Sequence, residues 1–398
     1  MTYTTGMTIK AGITLFDHKN RIDLDPSHHN ENIFDYYDRS AREDVSKIRQ
    51  LLNEWLLNYP KSEQLELKKR FKKTFSSAFY ELFIYTLFKH QGFEITIHPE
   101  IPNSNKRPDF LLKKNNYEFY VEAKEARAKT EAEEAFEKRT NQLYDSLDKI
   151  KSPNFLLKID ELIIKSTNQP SIKKAIDKIE REASKYDPDK IAAELNKIGL
   201  ENVTKIIHDD DNLKLIVSLI PKIPSARTID KGRAIGMFPM ESFWGGMEES
   251  IKDSFTKKAK KYGELDKPYF ICINAIGILG DGDFDVENAI WGSLAWTWST
   301  NPNNRNERWG RGNDGIFLGK NGPRCKNVSG VLVTKVREYN IPTASYWFAK
   351  HPFSDNAANF ELFNLTHYSV KAGQITKQTG QTIGEILNLE PLWLTTNI

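Results

Sequence analysis

The stretch RPDFLLKKNNYEFYVEAKEA, Arg107 to Ala126, decides how the rest of the chain is read. Two runs of alternating apolar residues flank Asn115-Asn116, and asparagine tolerates the positive φ that a two-residue type I′ turn requires. A hairpin turning there has one register. Lys114 faces Tyr117, and counting outward pairs Leu112 with Phe119 and Phe110 with Val121 on one face. On the other face Lys113 meets Glu118, Leu111 meets Tyr120, and Asp109 meets Glu122. Directly opposed carboxylates destabilise a sheet and burial adds to the penalty, so this pair calls for a bound cation or a shifted pKa.

A divalent metal supplies that cation. Hard oxygen ligands with open positions suit Mg²⁺ or Mn²⁺, whose roles would be to polarise a phosphate and activate water. Lys124 lies two residues past Glu122 on the same side of the strand, placed to hold the attacking water or a phosphate oxygen. The carbonyl of Ala123, between them, offers a further ligand, and Arg107 sits where a phosphate backbone would pass.

Pro108-Asp109 followed by Val121-Glu122-Ala123-Lys124 resembles the PD-(D/E)XK nuclease superfamily, in whose restriction-endonuclease-like fold a helix precedes a strand hairpin with this motif. The likeness covers Phe75 to Ile150. A Glu-x-Lys tripeptide alone says little, since Glu66-Leu67-Lys68 matches it in a helix-like stretch; the strand setting and register give it weight. The resemblance implies an α/β fold with a restriction-endonuclease-like core, a central mixed sheet flanked by helices. It implies Asp109 and Glu122 as metal ligands, Lys124 as the catalytic lysine, and Glu81 as the first-helix acid that some members add. Some exonuclease-like members carry Gln-x-x-x-Tyr in the following helix; here Gln142 is followed by Ser146, which departs from that pattern and leaves Gln142 as a candidate substrate contact. The expected activity is Mg²⁺-dependent cleavage of DNA by an endonuclease, with restriction or phage defence as the role that the family suggests. Two alternatives stand beside it: an RNA nuclease, since the motif addresses phosphate and not sugar, and an inactive nuclease fold that binds nucleic acid or a signalling ligand.

Working outward, residues 1–62 read as a polar arm and an amphipathic helix in which Val45, Ile48, Leu52, Trp55 and Leu56 recur at helical spacing before Pro60. Residues 63–151 form the expected nuclease core. It opens with one helix from Glu63 to His90, whose part FSSAFYELFIYTLF is apolar on nearly every side, and it ends with a helix over 126–150 closing on the sheet. Residues 152–211 are Lys-rich and read as a helical insertion broken by Pro170 and Pro188. Residues 212–398 form a C-terminal α/β region for recognition or regulation, with strands LKLIVSLIP and PYFICINAIGI. DGDFDVE, from Asp281, lacks the glycine and glutamate of a calcium loop and reads as a capped helix start. His208 with Asp209 to Asp211 reads as a polar turn. Six of eight tryptophans lie between Trp244 and Trp347, as a core or as a stacking surface for bases.

Composition sets the frame. Of 398 residues 39% are hydrophobic and 28% charged, enough length for two or three domains. A net charge of +3 neither requires nor excludes a polyanion. Cys272 and Cys325 have no metal-site spacing and read as reduced thiols. No signal peptide and no bilayer-spanning run is apparent, so the expected setting is the cytoplasm, with DNA and further copies of the chain, in a homo-oligomer, as partners and no membrane.

Overall fold

The computed structural model describes residues 13–395 except 103, 128–130, 167, 200–202, 228–232, 239–245, 277–282, 298–302 and 304–307. The chain forms two units, one of Met1–Leu24, Ile33–Ala128 and Trp244–Ile398, the other of Asp25–Asn32 and Lys129–Phe243. This partition differs from the one expected. The sheet that carries the hairpin draws strands from beyond residue 244, so the sequence motif occupies only part of its unit.

Four helices open the first unit: α1 (Ile33–Arg39), α2 (Glu43–Asn58), α3 (Gln64–Lys73) and α4 (Phe75–His90). The five apolar residues that marked α2 are all buried. The single helix expected over 63–90 is instead two, because Thr74 leaves helical geometry with φ −139° and ψ 66°. That break separates a short basic helix from one whose apolar residues are buried nearly all round. Strands β1 (Glu94–Ile97), β2 (Phe110–Lys114) and β3 (Tyr117–Arg127) follow. The β2–β3 register runs from Lys114↔Tyr117 to Phe110↔Val121, as counted from the turn. Of the two asparagines only Asn115 has positive φ, at 55°, so the turn is not the type I′ form, which needs both.

The second unit comprises α5 (Glu131–Leu147), β4 (Phe155–Ile164), α6 (Lys173–Ala183), α7 (Pro188–Ile198), β5 (Lys205–Asp209), β6 (Leu213–Pro221) and β7 (Ile235–Met237). Its sheet has the order β5-β6-β4-β7. Residues 152–211 are therefore not wholly helical. FLLKIDELII buries Phe155, Leu157 and Ile159, a period of two, against a core that includes Leu143 and Leu147 of α5. Its interleaved charged residues imitate an amphipathic helix. The helix expected to close over the hairpin thus covers the second unit's sheet.

The chain re-enters the first unit with α8 (Met247–Ala259), β8 (Tyr269–Ile276), α9 (Asp283–Trp291), the ribbon β9 (Leu294–Thr297) and β10 (Arg308–Arg311), and the short β11 (Leu318–Gly319) and β12 (Gly322–Pro323). Then come β13 (Gly330–Thr334), β14 (Tyr346–Lys350), β15 (His367–Lys371), β16 (Gln374–Gln378) and α10 (Ile383–Leu387). The mixed eight-stranded sheet has the order β1-β2-β3-β8-β13-β14-β15-β16, with β3 parallel to β8 and β8 parallel to β13. Alternation sorts its side chains into two cores. Phe110, Leu112, Phe119, Val121, Phe270 and Cys272 pack with α2, α3 and α4, whereas Tyr120, Ala126, Tyr269, Ile271 and Ile273 pack with α8 and α9. Glu122 and Lys124 share the strand parity of Tyr120 and Ala126, which directs them to the α8 face.

Candidate functional site

The end of the hairpin distant from its turn brings the predicted acids together. Asp109 immediately precedes β2, and its carbonyl accepts a bond from the His98 amide at 3.0 Å. Its carboxylate turns inward, and Oδ2 accepts from the Ala123 amide at 2.7 Å. Burial, and then the charge of Glu122, push the Asp109 carboxyl up to about 7; the Ala123 amide pulls the other way, with smaller effects from Glu81 and Lys258. The charge of Glu122 thus opposes ionisation of Asp109, as the register implied, with burial the larger cause.

Glu122 is fully buried and is not bare. Lys258 and Lys261 both donate to its Oε1, the latter at 2.7 Å, and the Tyr262 hydroxyl donates to Oε2. Burial, followed by the charge of Glu122, raises the Tyr262 phenol well above its ordinary value, so it remains a donor. The Arg107 carbonyl, 2.8 Å from the same oxygen, is an alternative acceptor for its single proton and lies in the segment before Asp109. These three partners were missed in the sequence. Their segment, KKAKKYG, carries no motif, and 136 positions separate Lys258 from Glu122.

The remaining predicted residues fall in different places. Lys124 is exposed, two residues beyond Glu122 on β3. Ala123 is half-buried against the opposite core, and its amide serves Asp109. Glu81 is buried on α4 and engaged by both terminal nitrogens of Arg70, with the Tyr59 hydroxyl at 2.9 Å. It acts as the pairing partner of a neighbouring helix while adding its field to Asp109. The Arg107 guanidinium is exposed and bonds Glu100 at 2.7 Å. Gln142 lies on α5 in the second unit, on the rim of a pocket with Ser146, Lys149 and Gln169. No arrangement joining it to Asp109 is assigned.

No family model, curated protein or solved structure matches the chain. The chemistry therefore rests on the residues. Asp109 and Glu122 offer hard oxygen donors whose mutual repulsion a divalent cation would relieve, so the donor type fits Mg²⁺ or Mn²⁺. Among the described residues, no group of three or more His, Cys, Asp or Glu side chains is arranged to hold a metal, which leaves two carboxylates and the backbone as the donor set.

The other sequence candidates resolve simply. Asp283 begins α9, in keeping with a helix start, while Asp281 lies outside the described residues. His208 and Asp209 belong to β5 and only Asp210 to Asn212 make the turn to β6, so the polar turn is shorter than expected; the His208 ring lies 3.1 Å from Asp210. Trp347 is buried, whereas Trp296 and Trp309 stack at 5.9 Å on the exposed β9–β10 ribbon; Trp244 and Trp298 lie outside the described residues. Both cysteines are free. No described helix is long and apolar enough to cross a membrane.

Proposed function

We propose that the chain is a metal-dependent nuclease acting on DNA, with the reacting phosphate bound beside Asp109, Glu122 and Lys124. The observation that carries this reading is the pair of acids, Asp109 just before β2 and Glu122 on β3, with Asp109 raised to about 7 by burial and by Glu122, next to the exposed Lys124 of β3. The element order α4-β1-β2-β3, then α8 and β8 with β8 parallel to β3, supports a restriction-endonuclease-like core, which remains part of the proposal.

Asp109 and Glu122 would hold Mg²⁺, which would supply charge neutralisation at the phosphate and acidify water. Lys124 orients the attacking water or a phosphoryl oxygen by donating from its ammonium group. The Ala123 amide fixes the rotation of the Asp109 carboxylate, so that its geometry is set before substrate arrives. Purified protein with Mg²⁺ or Mn²⁺ is expected to cleave plasmid or linear DNA, and Asp109→Ala and Lys124→Ala to lose at least about a hundredfold in rate. Equal cleavage by wild type and both variants, or no cleavage of DNA or RNA, would sink the reading. Parallel DNA and RNA substrates separate the two nuclease alternatives.

A second reading is favoured by the three donors on Glu122: a nuclease fold that binds nucleic acid or a signalling ligand without cutting it. Calorimetric titration with Mn²⁺ discriminates. The enzyme binds the ion in a manner lost in Glu122→Gln, and the binding fold does not.

A further inference from the structure

Two ammonium groups converge on one oxygen. Lys258 and Lys261 both donate to Oε1 of Glu122, and Tyr262 takes the other oxygen. Lysines near a helix C-terminus are ordinarily explained by the macrodipole, with their heads in water. Lys257 and Lys260 of the same turn do this and are exposed. Lys258 and Lys261 instead turn inward, yet their side chains keep 21% and 34% exposure, so they reach solvent as well as the buried acid. Lys106 extends the basic surface, bonding the Lys261 carbonyl at 2.8 Å.

The two lysines supply two positive charges at an acid pair that, as a metal site, would take them from a divalent ion. Both cannot stay on Glu122 once its oxygens are used otherwise, and they then form a cationic pair bordering the acids. An anion of high charge density is the ligand that satisfies such a pair.

We propose that Lys258 and Lys261 form a phosphate subsite for the nucleic-acid backbone adjoining Asp109 and Glu122. The subsite rests on the reading of those acids as a phosphodiester site and extends it by assigning the neighbouring phosphate to α8 and the residue just beyond it. Glu122 holds the two lysines in the free protein and gives them up to the backbone phosphate. Tyr262, donating its one proton to Oε2, keeps Glu122 in place as they leave.

The test is equilibrium binding of a short fluorescent DNA duplex across a range of NaCl, in Ca²⁺ and again in EDTA, for wild type, Lys258→Met, Lys261→Met, Lys261→Arg and the surface control Lys69→Met. Each methionine variant is expected to lower the slope of log affinity against log salt by about one, while Lys261→Arg and Lys69→Met retain it. Mn²⁺ affinity is expected to rise about tenfold in the methionine variants, because Glu122 loses a competitor. A purely structural role would shift the melting temperature and leave the salt slope unchanged, and that result overturns the subsite. If the slope falls but no divalent ion supports cleavage, the subsite stands and the nuclease reading falls. Cleavage by wild type with an unchanged slope in both methionine variants does the reverse. Should wild type bind no nucleic acid at all, both are wrong.

Discussion

Asp109 is under opposing demands: its amide partner favours the carboxylate, while burial and Glu122 favour the acid, and the latter prevail. Its folded value, about 7, lies above the ordinary value near 3.9. Between roughly pH 4 and 7 the folded chain therefore holds a proton that the unfolded chain has released, and stability falls as pH rises through that window. Asp109→Asn removes this dependence. In urea unfolding, the variant is expected to gain on the order of 2 kcal/mol relative to wild type at pH 8 compared with pH 5; an equal difference at both values refutes the assignment. The acid pair was legible in the sequence because a turn fixes register and register fixes opposition. Lys258, Lys261 and Tyr262 were not, because a contact spanning 136 positions leaves no local periodicity to read.

Helix α4 illustrates what element-level patterns do and do not reveal. Its all-round apolar surface correctly signalled burial, but the break at Thr74, and with it the Arg70–Glu81 pair between α3 and α4, carries no hydrophobic signature. Removing the charge of Glu81 leaves the Arg70 guanidinium without its counter-charge. Because Arg70 is one-third exposed, Glu81→Gln is expected to lower stability by about 2 kcal/mol, less than a fully buried pair would lose. Metal affinity at Asp109 and Glu122 should fall only modestly, through loss of the Glu81 field, and not be abolished. Thermal and chemical denaturation check the first outcome, and a Mn²⁺ titration losing its signal in this variant would instead make Glu81 a ligand. Strand β4 shows the opposite failure. Lys158, Asp160 and Glu161 among its apolar residues imitate an exposed helix face until the partner strand β6 reveals the period of two.

At the scale of the whole molecule, all of the second unit but Asp25–Asn32 enters the chain between β3 and α8, and the unit carries its own sheet and core. Leu157 is fully buried there, and Leu157→Ala is expected to lower the stability of that unit by about 3 kcal/mol. Amide exchange should quicken along β4 and β6 while β3 and β8 keep their protection; equal loss in both sheets would show that the two units unfold as one. Length alone suggested more than one domain, but the boundary was not legible, since nothing in composition marks a sheet whose strands leave the chain at Arg127 and resume at Tyr269. That separation also orders events in time. Tyr120 pairs with Tyr269, so a nascent hairpin has an unpaired β3 edge while about 150 further residues emerge, on the order of ten seconds at ordinary synthesis rates. Throughout that interval the strand bearing Glu122 and Lys124 is open to mispairing with other extended chains, and arrival of β8 both completes the sheet and withdraws that edge.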